Sequence, residues 1–168
     1  VSLPMRLEKQ VAYLDSHTGV GLLGTAYHVV DARGQHIATR RPPAHDTEIR
    51  WQMLFHNAFC HTSVMFRRAL VDPSMPFYNE SLTYSQDYDR WCRLLEQTRG
   101  ANLAEPLVIW RRGSESISST HRVEQQQAAN NVSADRINRL LPNKHLSADQ
   151  IVTLRRRYHG FSDRLVRE

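Results

Sequence analysis

The sequence predicts an α/β fold, a mixed sheet with flanking helices and further C-terminal helices. Three observations predict it. Helical and strand-like patterns alternate over the first two thirds of the 168 residues. A strand, a turn and a returning strand follow one another near the start, over residues 20–40. Two long helical patterns close the chain, split by Pro142-Asn143.

The elements follow in order. Ser2-Leu3-Pro4 reads as a helix start, a cap followed by an early Pro. Leu7, Val11 and Leu14 then give one apolar face, which ends near Ser16-His17-Thr18-Gly19. Residues 20–30 are rich in strand formers, Asp31-Ala32-Arg33-Gly34 is a turn, and 36–40 return as the hairpin partner. Arg41-Pro42-Pro43 breaks that strand, and Asp46 caps a helix through Ile49, Met53 and Leu54. A loop over 57–62 precedes a short apolar strand at 63–66 and a helical turn at 67–71. The next helix starts at Asp87, runs to about Gln97, and is ended by Arg99-Gly100. Residues 101–103 and 107–110 read as strands, 113–120 as a polar loop, and 123–141 and 148–166 as the two closing helices. Neither standard Gly-rich phosphate loop is present, and a complete doubly wound domain would open with one.

The helix after Tyr84-Ser85 carries an acidic pair at its mouth, Asp87 and Asp89, ahead of a buried stripe of Trp91, Leu94 and Leu95. A carboxylate at Asp87 meets free backbone N–H groups and the positive end of the helix dipole. A rigidly mounted carboxylate beside a loop suits a general base. It equally suits a plain helix N-cap, and the pattern alone leaves both readings open. Asp89 points to another face, where an ion pair with Arg93 at i+4 is the preferred reading. Trp51, Trp91 and Trp110 each sit in an apolar pattern, so core packing is the default for all three.

Composition excludes several classes. Apolar residues make up 40% and charged residues 23%, ordinary for a globular protein, and no apolar run reaches a membrane span. There is no signal peptide, and a start at Val1 rather than Met reads as a fragment or processed chain. Two cysteines, Cys60 and Cys92, make no disulfide framework, so a reducing compartment is the default. The nine histidines are scattered and none pairs with a cysteine at zinc-ligand spacing. The formal charge is +5, and Arg155, Arg156, Arg157, Arg164 and Arg167 crowd the C-terminal end. A solvated helix face is preferred there over binding of phosphate, anionic lipid or nucleic acid. Nucleic acid ranks last, since aromatic interleaving and known reader motifs are missing.

The order of motifs resembles family 2 glycosyltransferases. The matching segments are Leu3-Pro4-Met5-Arg6-Leu7-Glu8-Lys9-Gln10, Arg41-Pro42-Pro43 and Ile49-Arg50-Trp51. Asn57-Ala58-Phe59-Cys60-His61-Thr62-Ser63 through Arg68 follow, then Gln86-Asp87-Tyr88-Asp89, Ala101-Asn102-Leu103-Ala104-Glu105-Pro106-Leu107, Trp110-Arg111 and Ser116-Ile117-Ser118. No single segment is specific; their order and spacing are. The likeness covers about residues 1–120, and residues 121–168 form a C-terminal helical extension that matches nothing.

The resemblance implies the second, acceptor-side half of a GT-A fold. The nucleotide-binding strands and the Asp-x-Asp metal motif would precede Val1. It implies inverting transfer of a sugar from a nucleotide-diphospho-sugar donor to a glycan or lipid-linked acceptor. A divalent metal, Mn or Mg, would have its ligands mainly outside this chain. On the matching positions, Asp87 is the general base and His61, Thr62 and Ser63 line the acceptor side. Gln86 stands where relatives often carry Glu, and Arg111 opens a loop that reaches the diphosphate. Relatives often place a His where Gly113 stands, so no metal ligand is assigned here. The implied setting is cytoplasmic, at the inner face of a membrane with peripheral association, in assembly of a surface polysaccharide. The alternative is a non-catalytic module that binds glycan or an anionic surface.

Overall fold

The computed structural model describes residues 1–113, 121–141 and 143–165, apart from the side chains at 148 and 159–165. The elements are α1 (Arg6–Ser16), β1 (Val20–Val30), β2 (His36–Arg40), α2 (Asp46–Gln52), β3 (Met65–Phe66), α3 (Gln86–Leu95), β4 (Arg99–Arg111), α4 (Arg122–Leu140) and α5 (Ala148–Leu165). Short 3-10 turns occupy His61–Ser63 and Arg68–Leu70. The α/β class and the mixed sheet are as the sequence predicts.

β1 is the centre of the sheet. Along one edge β4 runs parallel to it, from Val20 opposite Arg99 to Val30 opposite Arg111. The other edge is shared, with Leu22 and Leu23 pairing antiparallel to β3 and residues from Tyr27 to Val30 pairing antiparallel to β2. A strand paired on both edges and covered on both faces is apolar at nearly every position, and β1 is buried along most of its length. Its side chains alternate between two layers. Leu22 packs with Ile49, Phe59, Tyr88, Trp91 and Leu95 under α2 and α3. Leu23 packs with Leu14, Val20 and Ala101 under α1.

Two close approaches fix this packing. A Cβ on Gly24 would sit 2.1 Å from the Oδ1 of Asn102, whose amide nitrogen donates to Pro43 O at 2.8 Å and Ala58 O at 3.2 Å. A Cβ on Gly100 would sit 2.8 Å from Leu95 Cδ2 and 3.2 Å from Phe59 Cζ.

Several expectations are corrected. Ser2-Leu3-Pro4 does not start a helix. Val1 to Leu3 instead pair with the outer edge of β4: Leu3 N–H donates to Leu107 O at 3.0 Å, and Ile109 N–H to Val1 O at 2.8 Å. A strand edge needs hydrogen-bond partners, and that demand outweighs the local capping signal. The helix begins after Met5, whose φ is 66°. On α1, Leu14 is buried but Leu7 and Val11 are 58% and 48% exposed, and the other buried position is Gln10. Gln10 is held by donating to Ser63 O at 2.8 Å and Leu23 O at 3.3 Å.

Arg99-Gly100 lies inside β4 rather than ending α3, because Gly100 is the gap into which Leu95 and Phe59 pack. The two expected strands at 101–103 and 107–110 are one strand, with register shifts either side of Ala26 where Pro106 lacks an N–H. Trp91 is buried as expected, whereas Trp51 is 57% exposed on the outer side of α2, edge-on to Phe55.

The C-terminal helices are seated on the main layer. Val132 of α4 joins the α3 core, Ser133 Oγ donates to Leu54 O, and Arg136 and Arg139 pair with Glu96 at the end of α3. Ile151 of α5 packs with Phe55 and Ile137. Of the basic C-terminal run, Arg156 and Arg157 are exposed but Arg155 is only 5% exposed, which corrects its reading as part of a solvated face. The Ser116-Ile117-Ser118 segment and Arg167 lie outside the described residues, as does the side chain of Arg164.

Candidate active site

The site is built around the first turn of α3. Ser85 precedes that turn with φ 60°, a left-handed backbone that costs a serine on the order of 1 kcal/mol. Its hydroxyl caps nothing in α3; it donates instead to Gln125 O of α4 at 3.3 Å. Asp87 therefore stands inside the first turn, two residues past the cap position at Ser85.

Its neighbours on the helix fix its direction. Tyr88 points inward, fully buried, and donates its hydroxyl hydrogen to Met53 O at 2.8 Å. Burial holds that phenol well above its ordinary value of 10.0. Trp91, Cys92 and Leu95 continue the buried stripe, and burial pushes the Cys92 thiol up to about 12. With Tyr88 locked beneath, Asp87 faces outward and its side chain keeps 30% exposure.

The carboxylate has a partner from another element. Asp87 Oδ2 accepts from Asn57 Nδ2 at 3.0 Å, while Asn57 Oδ1 accepts from Phe59 N–H at 3.0 Å, which fixes the way round of that amide. His61 Nδ1 lies 3.8 Å from the same Oδ2, too long for a hydrogen bond. At that separation the two atoms are near enough to share one hydroxyl oxygen about 2.8 Å from each. Asp89, by contrast, is engaged with Arg93 at 2.9 Å, as its sequence reading preferred.

A cleft of about 340 Å³ opens beside Asp87, between the 56–57 turn, the start of α3, and helices α4 and α5. Asn57, Asp87, Arg122, Gln125 and Arg155 are among its lining residues. Its size is within the range of small-molecule sites.

The other expected site residues fall in different places. His61 and Asp87 come together. Thr62 is exposed, with its carbonyl taken by Arg6 Nη1 at 2.6 Å. Ser63 is fully buried: its hydroxyl donates to Cys60 O at 2.8 Å and accepts from Thr25 N–H at 3.1 Å, so it secures the His61 turn to β1. Gln86 bends back to donate to Thr83 O at 3.0 Å. Arg111 ends β4 opposite Val30 and is not among the described residues that line the cleft beside Asp87. Val30 lies five residues beyond Thr25, about 16 Å along the strand. Among the described residues, nothing lies within 4 Å of a Cβ placed on Gly113. Asn57 and Arg155 were missed by sequence reasoning. Asn57 opens one of the segments that carry the resemblance, but no role was assigned to it. Arg155 carried a signal: Ile151, Arg155 and Tyr158 recur at helical spacing, which places the arginine on the inward stripe of α5.

Among the described residues, no three His, Cys, Asp or Glu side chains lie together as a metal site. No helix there is long and apolar enough to cross a membrane.

An outward carboxylate, oriented by a neighbouring amide at the mouth of a polar cleft, defines a site suited to taking a proton from a bound hydroxyl. Comparison with known proteins adds what the chain is similar to. No family model matches the chain. It is 34% identical over 119 residues to the amylovoran biosynthesis glycosyltransferase AmsE of Erwinia amylovora, covering 70% of this chain and 44% of that protein. It is 32% identical over 117 residues to the O-antigen biosynthesis glycosyltransferase WbnJ of Escherichia coli, covering 66% of this chain and 43% of that protein. A Bacillus subtilis protein named as the glycosyltransferase EpsE is 33% identical over 119 residues, 70% of this chain and 42% of its own length. All three are named glycosyltransferases, the class this chain resembles, and the chain spans less than half the length of each.

Proposed function

We propose that this chain is the acceptor-side part of an inverting, family 2-like glycosyltransferase of GT-A fold, with Asp87 as general base. The observation that carries the reading is the Asp87 carboxylate, held by Asn57 and set beside His61 at the open cleft. The acceptor hydroxyl donates its proton to Asp87 Oδ2 as its oxygen attacks the anomeric carbon of the donor sugar. The bond to the nucleoside diphosphate breaks with its electron pair, and the configuration inverts. His61 borders the same hydroxyl and orients it. Similarity to enzymes named for amylovoran and O-antigen biosynthesis supports a setting in surface polysaccharide assembly, with a lipid-linked or glycan acceptor.

The donor site and a divalent ion, Mn or Mg, belong to the intact enzyme. The described residues do not form that metal site, so no step above runs through it.

The test is Asp87→Asn in the intact enzyme. Transfer falls by about 10²- to 10⁴-fold while donor binding is kept. Unchanged turnover would leave the alternative, a module that binds glycan or an anionic surface without catalysis.

A further inference from the structure

We propose that the cleft beside Asp87 is an oxyanion subsite, in which Arg155 of α5, with Arg122 of α4, grips a phosphate or carboxylate carried by the acceptor. That the anion belongs to an acceptor rests on the transferase reading above; the subsite itself rests on the geometry of Arg155.

Arg155 is 5% exposed and lines the cleft. Its Nη1 donates to Asn130 Oδ1, its Nη2 lies 3.3 Å from His56 Nδ1, and among the described residues its buried Nε has no hydrogen-bond partner. Among the described residues no carboxylate lies within ion-pair distance of it. A guanidinium so buried ordinarily has an acid beside it, because desolvating a charge is costly unless an opposite charge answers it. The neutral Asn130 orients the group, and the Gln126 amide, whose oxygen when turned toward it lies 3.1 Å from Nη1 and 3.2 Å from Nη2, covers it on the cleft side; neither answers its charge.

The second cation is Arg122, exposed at the first residue of α4 on the same cleft. Against these two positive charges, the described residues lining the cleft set one carboxylate, that of Asp87. The balance favours an incoming anion while keeping that anion away from the Asp87 end. A ligand with a charged group at one end and a hydroxyl at the other is therefore oriented, charge toward Arg155 and hydroxyl toward Asp87. A planar, bidentate guanidinium suits phosphate and carboxylate alike.

The 168-residue chain is titrated with inorganic phosphate, with methyl glucuronide and with neutral methyl glucoside, at low and high salt. Both anions bind, weaken with salt, and exceed the glucoside at least tenfold. Phosphate tighter than glucuronide identifies a phosphorylated acceptor; the reverse order identifies a uronate. Arg155→Met weakens both anions at least tenfold, and the exposed Arg122→Gln about threefold. Asp87→Asn strengthens them severalfold by removing the opposing charge. If Arg155→Met fails to fold, the other two variants decide. Anion affinity indifferent to Arg155 and Arg122, or glucoside binding equal to glucuronide, overturns the subsite. The two readings fail separately in the intact enzyme. Loss of transfer in Asp87→Asn with an unchanged acceptor KM in Arg155→Met sinks the subsite alone. Arg155-dependent anion binding with normal transfer in Asp87→Asn sinks the base alone.

Discussion

Asn57 uses both ends of its amide, accepting from Phe59 N–H and donating to Asp87, so the carboxylate inherits its direction from the 57–59 turn. Asn57→Ala frees Asp87 to rotate. The expected result is a kcat about tenfold lower with the acceptor KM within about twofold, and a stability loss of about 1 kcal/mol. Steady-state kinetics beside a denaturation curve check this; a stability loss with kcat intact would make Asn57 merely structural. Asp87 itself was legible in the sequence, because an acid at the head of an apolar helical stripe is a local pattern. Asn57 was not legible as its neighbour, since thirty residues separate the two and only the packed core closes that gap, and His61 was put on the same side by the resemblance rather than by local pattern. Arg155 was misread by its company: Arg156 and Arg157 beside it are exposed, and charge alone does not tell one helix face from another. The two thiols differ at the same scale. Burial pushes Cys92 up to about 12, so at pH 8 only on the order of one part in 10⁴ is thiolate. Iodoacetamide on the native protein is expected to label the half-buried Cys60 and spare Cys92, with both labelled in denaturant. Labelling of Cys92 at the rate of Cys60 would show that α3 opens readily.

At the scale of elements, the elements that local pattern predicts best are those whose partners are close in sequence. β1 and β2 form the expected hairpin because the turn is local: Asp31 Oδ1 accepts from Arg33 N–H at 2.9 Å and Gln35 N–H at 2.8 Å. The misread pieces answer to distant strands. Val1 to Leu3 are drawn onto β4 more than a hundred residues later, and Gly100 is required by side chains of α3 and the 57–59 turn. Gly24 belongs to the same class, since what it needs is room for Asn102. Gly24→Ala drives a methyl to within 2.1 Å of an oxygen whose amide is tied to two backbone carbonyls. A loss of about 2 kcal/mol is expected, from overpacking together with the broken amide contacts. Pairing it with Asn102→Ala is expected to cost less than the two single changes added, because one removes the obstacle the other meets. Strict additivity in denaturation would show that the clash is relieved elsewhere.

For the whole molecule, the Asp87 carboxylate depends on a core that stays neutral. Tyr88 and Cys92 sit on α3 directly under Asp87, and both are held protonated by burial, the thiol from an ordinary 9.0 to about 12 and the phenol well above 10.0. The consequence for stability has a definite sign. In the unfolded chain these acids lose their protons near their ordinary values, whereas in the fold they keep them. The unfolded state therefore binds fewer protons above pH 9, and stability falls as pH rises from there. The limiting slope is about 1.4 kcal/mol per pH unit for each group. Between pH 8 and 10.5 the pair is expected to cost the protein about 3 kcal/mol, most of it from Cys92, which begins to titrate first. Urea unfolding at pH 8, 9.5 and 10.5 measures this, and Cys92→Val is expected to flatten the curve over the lower part of that range. α4 contributes Val132 to the same core and receives the Ser85 hydroxyl on Gln125 O, so alkaline loosening of α3 also opens the cleft wall. Transfer by the intact enzyme is thus expected to fall along the same alkaline limb as stability, and to be extended upward in pH by Cys92→Val. A stability curve flat to pH 10.5 would mean that α3 is not seated as deeply as its buried stripe requires.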